Sequence, residues 1–281
     1  VKVDSIVDEG DVTFVETPFY AESGGQVSDT GNIFSSSFEA KVVSVSKTPS
    51  GAHLHHIKVI NGSVKVGDEL TLSIDVDRRH LIERNHSATH LLHAAICEVL
   101  NEHVDQKGSY VDENYLRFDF AFNEKLEESK LKEIEALVNS KIEEGIEEKT
   151  LILPIEEASK LGAEMEFEEK YGDKVRVVTF SSFSKEFCGG THVKNTADIG
   201  LFVIESEGAS SSGVRRIQAY TSKSAFSYLL AKKELLSNIR LSWIMIIFEI
   251  LFLVFIVGAE YAIYHYVAKE YNNINKNIKK F

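Results

Sequence analysis

The hydrophobic period of the chain changes near residue 77, and that change divides what the sequence can fold into. Over residues 1–79 the segments VTFV, AKVVSVS, HIKVI and LTLSIDV are short, β-branched and alternating, with Gly, Asn, Asp and Ser between them. Side chains of period two line one face of a pleated sheet, so this part reads as an antiparallel barrel or sandwich. Over residues 77–100 the period is helical. Leu81, Ala88, Leu92, Ala95 and Val99 share one face, and His86, His90 and His93 lie on a second, polar face.

The remainder is mixed. Residues 123–148 read as a second amphipathic helix with Leu131, Ile134, Leu137, Val138 and Ile142 inward, and PIEEASKLGA as a short helix starting at Pro154. KVRVVTF, GLFVIES and VRRIQAY read as strands of an α/β unit. With 281 residues, 43% of them hydrophobic, the chain is long enough to bury one large core or two modest ones. A net charge of −12 argues against a general phosphate binder, since sequence-independent nucleic-acid binding rests on Lys and Arg. Two cysteines, Cys97 and Cys188, suit a reducing, cytoplasmic compartment better than a disulfide scaffold. Residues 1–11 are charged and lack the apolar run of a signal peptide, and the chain opens on Val1 inside what reads as a domain, as a fragment would.

Residues 243–267, WIMIIFEILFLVFIVGAEYAIYHYV, have the length and apolar density of a transmembrane helix, for which about 20 residues suffice. Glu249 and Glu260 oppose that reading at roughly 3 kcal/mol each near the bilayer centre. A buried core helix has the same composition. The closing YNNINKNIKKF is polar and basic, like a juxtamembrane tail.

His86 and His90, one turn apart on a helix, can grip one ion, and so can His90 and His93. Spacing alone does not choose between the pairs, and half-buried polar residues would look the same. Ser87 stands where a metalloprotease helix would carry its glutamate. FCGGTHV supplies a second cluster: the glycines between Cys188 and His192 let thiolate and imidazole converge. Two histidines from the helix with Cys188 and His192 make three nitrogens and one sulfur, a donor set that zinc prefers.

HSATHLLHAAI, DQKGSYV, LRFDF, FCGGTHV, DIGLF and GVRRIQAYT together resemble the editing domain of alanyl-tRNA synthetase, also found alone as the AlaX trans-editing proteins. TPFYAESGGQVSDTG resembles the glycine-rich motif of the barrel ahead of that domain. The resemblance runs over about residues 1–239 and implies an α+β fold. A small N-terminal β-barrel (1–80) precedes an α/β zinc-binding editing core (81–222) of the alanyl/threonyl-tRNA synthetase second-additional-domain type. A linker helix (223–240) and the hydrophobic helix with its basic tail (241–281) follow, outside the family pattern.

The resemblance further implies that His86, His90, Cys188 and His192 are zinc ligands, which leaves His93 as a residue behind the site or at the surface. The implied reaction is hydrolysis of serine or glycine from the acceptor end of tRNA(Ala), with no aminoacylation by this chain. A hydrophobic activation site discriminates weakly against an added hydroxyl or a lost methyl, so a second site must read the difference. Gln106 and Thr191 are the polar candidates for that pocket. Glu22, Gly24, Gly25 and Gln26 form the glycine motif, which would reach toward the substrate or simply make a tight loop. Arg78, Arg79, Arg84, Lys107, Arg215 and Arg216 are candidate tRNA contacts, each equally suited to salt bridges. Four protein ligands describe a closed structural zinc site, unless one is loosely held. A catalytically silent module that binds tRNA or is tethered to a membrane is the competing reading, and a purely structural zinc domain a third.

Overall fold

A computed structural model of the chain describes residues 1–8, 10–164 and 173–278. The N-terminal strands are β1 (Val3–Asp8), β2 (Asp11–Phe14), β3 (Gly31–Phe34), β4 (Glu39–Lys47), β5 (His53–Asn61) and β6 (Thr71–Ile74). They form one antiparallel sheet in the order β1-β2-β5-β4-β3-β6. The sheet curls shut: the Val3 amide donates to Asp68 O at 3.0 Å and the Leu70 amide to Val1 O at 2.8 Å, joining the first strand to the chain just ahead of β6. Closure removes the free edges that an open sheet would expose. Val12, Phe19, Ile33, Ala40, Val42 and Val45 fill its interior. The expected barrel is therefore present.

Helix α1 (Val76–Leu100) starts where Asp75 accepts the Arg78 amide and stops at Asn101, whose φ of 54° is left-handed. Its boundaries lie close to the expected ones, but its exposure does not follow. The histidine face is buried too, and His86, His90 and His93 are each under 7% exposed. α1 is wrapped rather than half-solvated because α2 (Glu128–Glu143) packs on one side while β7 (Gln106–Val111), β8 (Leu116–Ala121) and β11 (Ser184–Phe187) pack around it.

α2 buries Ile134, Val138 and Ile142 as its period predicts, but it is shorter than expected. Gly145, at φ +66°, turns the chain, and Glu148 opens strand β9 (Glu148–Pro154). Pro154 caps α3 (Ile155–Lys160). β10 (Lys174–Phe180) pairs with both β9 and β11 in a three-stranded antiparallel sheet. β12 (Phe202–Ser211) and β13 (Val214–Thr221) complete a four-stranded sheet, order β12-β13-β8-β7. Its inner face and α1 share the main core, centred on Leu91, Leu92, Ile96, Phe118, Phe120 and Phe202.

The barrel loop is zipped to the end of β7. The Val27 amide donates to Val111 O at 3.0 Å, and the Val111 amide to Gly25 O at 2.8 Å. That pairing sets the glycine motif against β7 and the α/β part of the chain.

The chain divides into two compact units, Val1–Ser227 and Tyr228–Phe281. The second is helical, the continuation of α4 (Ser222–Ile278), which includes the expected linker. Every side chain of residues 243–267 is exposed, and the helix is long and apolar enough to cross a membrane. Lys279 and Lys280 of the basic tail lie outside the described residues.

Candidate metal centre and pocket

α1 contributes His86 and His90, and the turn after β11 contributes Cys188 and His192. One ligand-capable atom from each lies within 4.8 Å of the others. Nε2 of His86 stands 3.4 Å from Cys188 Sγ, and Nε2 of His192 3.3 Å from the same sulfur. Of the two helix pairings that spacing permits, His86 with His90 is the one that meets the cysteine turn.

The turn is held from outside. Arg176, on β10, donates through Nη1 to the carbonyls of Cys188 (2.8 Å) and Gly190 (2.9 Å), and the Gly190 amide donates to Cys188 Sγ at 3.3 Å. Gly190 is required by space. A Cβ there would overlap the His86 ring and stand 2.8 Å from Gln26 Oε1.

Burial holds the His86 imidazole down at about 3, with His90 adding to the effect, and lowers His90 and His192 in the same way. All three rings are therefore neutral near pH 7, as metal ligation requires. Their outer edges are engaged as well. His86 Nδ1 lies 2.6 Å from Gln26 Oε1, and His192 Nδ1 lies 3.1 Å from Ser87 Oγ. His90 Nδ1 is buried with no hydrogen-bond partner among the described residues. Three neutral imidazoles, a thiol and an orphaned ring nitrogen fit a tetrahedral zinc ion.

Glu186 was not singled out in the sequence, although it lies two residues before Cys188. Its carboxylate is buried between two rings, 3.4 Å from His90 Nε2 and 3.4 Å from His93 Nδ1. Burial would raise it, but His90 and His93 outweigh that and hold it at about 2. His93 is thus no surface residue. It donates from Nε2 to Val104 O at 3.0 Å, and its other nitrogen faces Glu186. Burial lowers His93, yet Cys97, Glu186 and the Val104 carbonyl together hold it above the usual histidine range.

A cavity of about 510 Å³ opens beside this cluster. His86, His90, Cys188, Gln106, Thr89, Gly24, Gly25 and Glu186 all reach it. Glu186 is the one carboxylate in its lining among the described residues. Thr191 is not in the lining; its hydroxyl accepts from Gln26 Nε2 at 2.9 Å. Glu22 is exposed and also outside it. Gly24 and Gly25 have φ of +59° and +81°, the two successive positive values that a tight hairpin turn of this kind demands. The Gln26 amide closes that turn onto Ser23 O at 3.1 Å.

The candidate tRNA contacts are engaged within the protein. Arg78 pairs with Glu113 and Arg79 with Asp29. Arg84 donates to Ser222 Oγ, and Lys107 pairs with Asp105. Arg215 pairs with Glu207, and Arg216 grips Asp119 through two hydrogen bonds of 2.7 Å.

Two families match parts of the chain. The one described as threonyl and alanyl tRNA synthetase second additional domain matches residues 175–218, and the one described as tRNA synthetases class II (A) matches residues 2–78. The chain is 50% identical over 244 residues to an alanine–tRNA ligase of Lactobacillus helveticus, covering 84% of this chain and 28% of the relative. It is 44% identical over 232 residues to that of Petrotoga mobilis, covering 83% and 26%. To that of Staphylococcus saprophyticus it is 50% identical over 214 residues, covering 76% and 24%. The chain thus spans about a quarter of the length of these relatives.

Proposed function

We propose that this chain, similar to the editing region of alanyl-tRNA synthetases with the barrel ahead of it, hydrolyses serine and glycine from mischarged tRNA(Ala) with the help of zinc. One observation carries the reading: His86, His90 and Cys188 line the same cavity as Gln106, and His192 completes their cluster. The reaction adds water across the aminoacyl ester and releases the amino acid and the terminal ribose hydroxyl.

The pocket's polar groups divide the work. Gln106, half-buried at the cavity wall, pairs with the serine hydroxyl, a partner that an alanyl ester does not offer. Glu186, ionised and buried at the cavity wall, suits the substrate's α-ammonium group. The paired positive φ values at Gly24 and Gly25 keep side chains away from the mouth, leaving room for the nucleotide end. When bound, zinc supplies a Lewis acid that polarises an oxygen. The ligand turn is kept rigid by Arg176, so the site is pre-formed.

Incubating the chain with seryl- and alanyl-tRNA(Ala) tests this directly. Rapid loss of the seryl ester with survival of the alanyl ester is expected. Hydrolysis of neither, by folded and zinc-loaded protein, would leave the silent tRNA-binding module.

A second element of the reading concerns residues 243–267. Their exposed, largely apolar surface supports insertion of this helix into a bilayer. Twenty-five residues at 1.5 Å per residue span about 37 Å, more than the roughly 30 Å hydrocarbon core.

A further inference from the structure

Gln26 sits on the barrel's glycine loop, 0% exposed, with its amide inside the editing core. Oε1 receives the Thr191 backbone amide at 3.0 Å and faces His86 Nδ1 at 2.6 Å, while Nε2 donates to Thr191 Oγ1 at 2.9 Å. These three contacts determine which amide atom is the oxygen. A backbone N–H can only donate, so the atom facing the Thr191 amide is Oε1. The same oxygen faces His86 Nδ1, so that nitrogen carries the ring proton. Nε2 of His86 is then a lone-pair donor, directed at the side where Cys188 Sγ lies 3.4 Å away.

His192 has no such lock. Its Nδ1 faces Ser87 Oγ, which also accepts the Val193 amide at 3.1 Å, and a hydroxyl can either donate or accept. His90 Nδ1 has no hydrogen-bond partner among the described residues. His86 and His90 each face an acceptor of fixed polarity, Gln26 Oε1 and the Glu186 carboxylate, and of these two only the partner of His86 comes from the barrel.

We infer that Gln26 is the positioning residue that holds His86 with its proton on Nδ1 and presents Nε2 to the metal, so that the barrel's glycine loop sets the metal affinity of the editing core. The loop's geometry serves this placement. Gly25, at φ +81°, packs so closely on β7 that a Cβ would stand 2.8 Å from the Ser109 carbonyl carbon. The backbone pairs Gly25–Val111 and Val27–Val111 flank Gln26 on both sides. The side chain is thereby driven inward between His86 and Thr191. Outer hydrogen bonds of this kind typically contribute 10- to 100-fold in metal affinity.

The inference rests on the zinc reading proposed above, and the test separates the two. Zinc affinity is measured on the full chain by competition with a chromophoric chelator for the wild type, Gln26→Met and Gln26→Glu, with metal-free melting temperatures as the folding control. Met keeps the length but offers only a weakly accepting thioether; Glu still accepts from His86 and Thr191. Gln26→Met is expected to bind zinc 10- to 100-fold more weakly, and Gln26→Glu at least as tightly as wild type. Nitrogen chemical shifts of the metal-free wild type should show His86 protonated on Nδ1. Equal affinity of Gln26→Met and wild type, equal weakening in both variants, or a proton on Nε2 would each overturn the positioning role while leaving the zinc site standing. A wild type that binds no zinc would overturn both.

Discussion

Gly190 and His86 pack with no room for a side chain between them: a Cβ on Gly190 would overlap the imidazole at Cε1 and Nδ1. Gly189, its neighbour, has nothing within 4 Å of the same construction. Gly190→Ala should therefore displace His86 and lose zinc, whereas Gly189→Ala should keep it. Metal content of the two purified variants checks this, and equal zinc in both would contradict the packing.

Removing a ligand should act on stability as well as on content. Cys188→Ala and His90→Ala should each lose the ion and melt earlier than zinc-loaded wild type, because a structural ion contributes folding free energy. His93→Gln should keep its zinc, since His93 reaches the site only through Glu186. Full metal in the Cys188 and His90 variants would remove the site from this cluster.

Much of this centre was legible in the sequence, for a physical reason. Spacing allowed His86 with His90 or His90 with His93, the two glycines let Cys188 and His192 converge, and the resemblance chose the first helix pair. The barrel and α1 were legible because their apolar periods are long and regular. Residues 144–148 read as the end of the helix, since Glu143 to Glu148 keeps a helical composition and Gly145 breaks it only through its backbone angle, and β9 beyond them is given no reading. Glu186 and Gln26 were not assigned their roles because those depend on partners remote in sequence; Gln26 and His86 are 60 residues apart. The burial of the histidine face was hidden for the same reason. No pattern within α1 records what packs on it.

Selectivity should depend on Gln106. Gln106→His misplaces the pocket's hydrogen-bonding atoms, and seryl-tRNA(Ala) hydrolysis should fall by about 10-fold or more, equivalent to about 1.4 kcal/mol of transition-state stabilisation. Zinc content should not change. Single-turnover deacylation rates check it, and a wild-type rate would take Gln106 out of the pocket's chemistry.

The barrel should be acid-sensitive through His55. This ring is fully buried, with Nε2 2.8 Å from Thr17 Oγ1 and Nδ1 3.2 Å from Val12 O. Burial lowers it to about 4. A histidine lowered on folding contributes stability above its unfolded value of about 6.5, and that contribution is lost as the pH falls through 4. The full swing is about 3 kcal/mol. Urea midpoints between pH 7 and pH 4 should fall more steeply for wild type than for His55→Gln; parallel profiles would exclude His55 as the cause.

The hydrophobic helix should associate with lipid. The whole chain is expected to float with phospholipid vesicles and to resist alkaline carbonate, while a chain ending at Arg240 stays in the soluble fraction. Release of the whole chain by carbonate would remove the bilayer reading.

The candidate metal ligands arrive from two widely separated stretches: His86 and Cys188 are 102 residues apart. The entropy of closing so long a loop is modest, since each doubling of length costs only about 0.6 kcal/mol. The larger consequence is one of timing. At roughly 5–20 residues per second of synthesis, the helix histidines precede the cysteine turn out of the ribosome by about 5–20 s. During that interval His86 and His90 are made while Cys188 and His192 are not. Capture of a metal by all four side chains would therefore be a late event in the life of the nascent chain, following the making of the CGGTH turn.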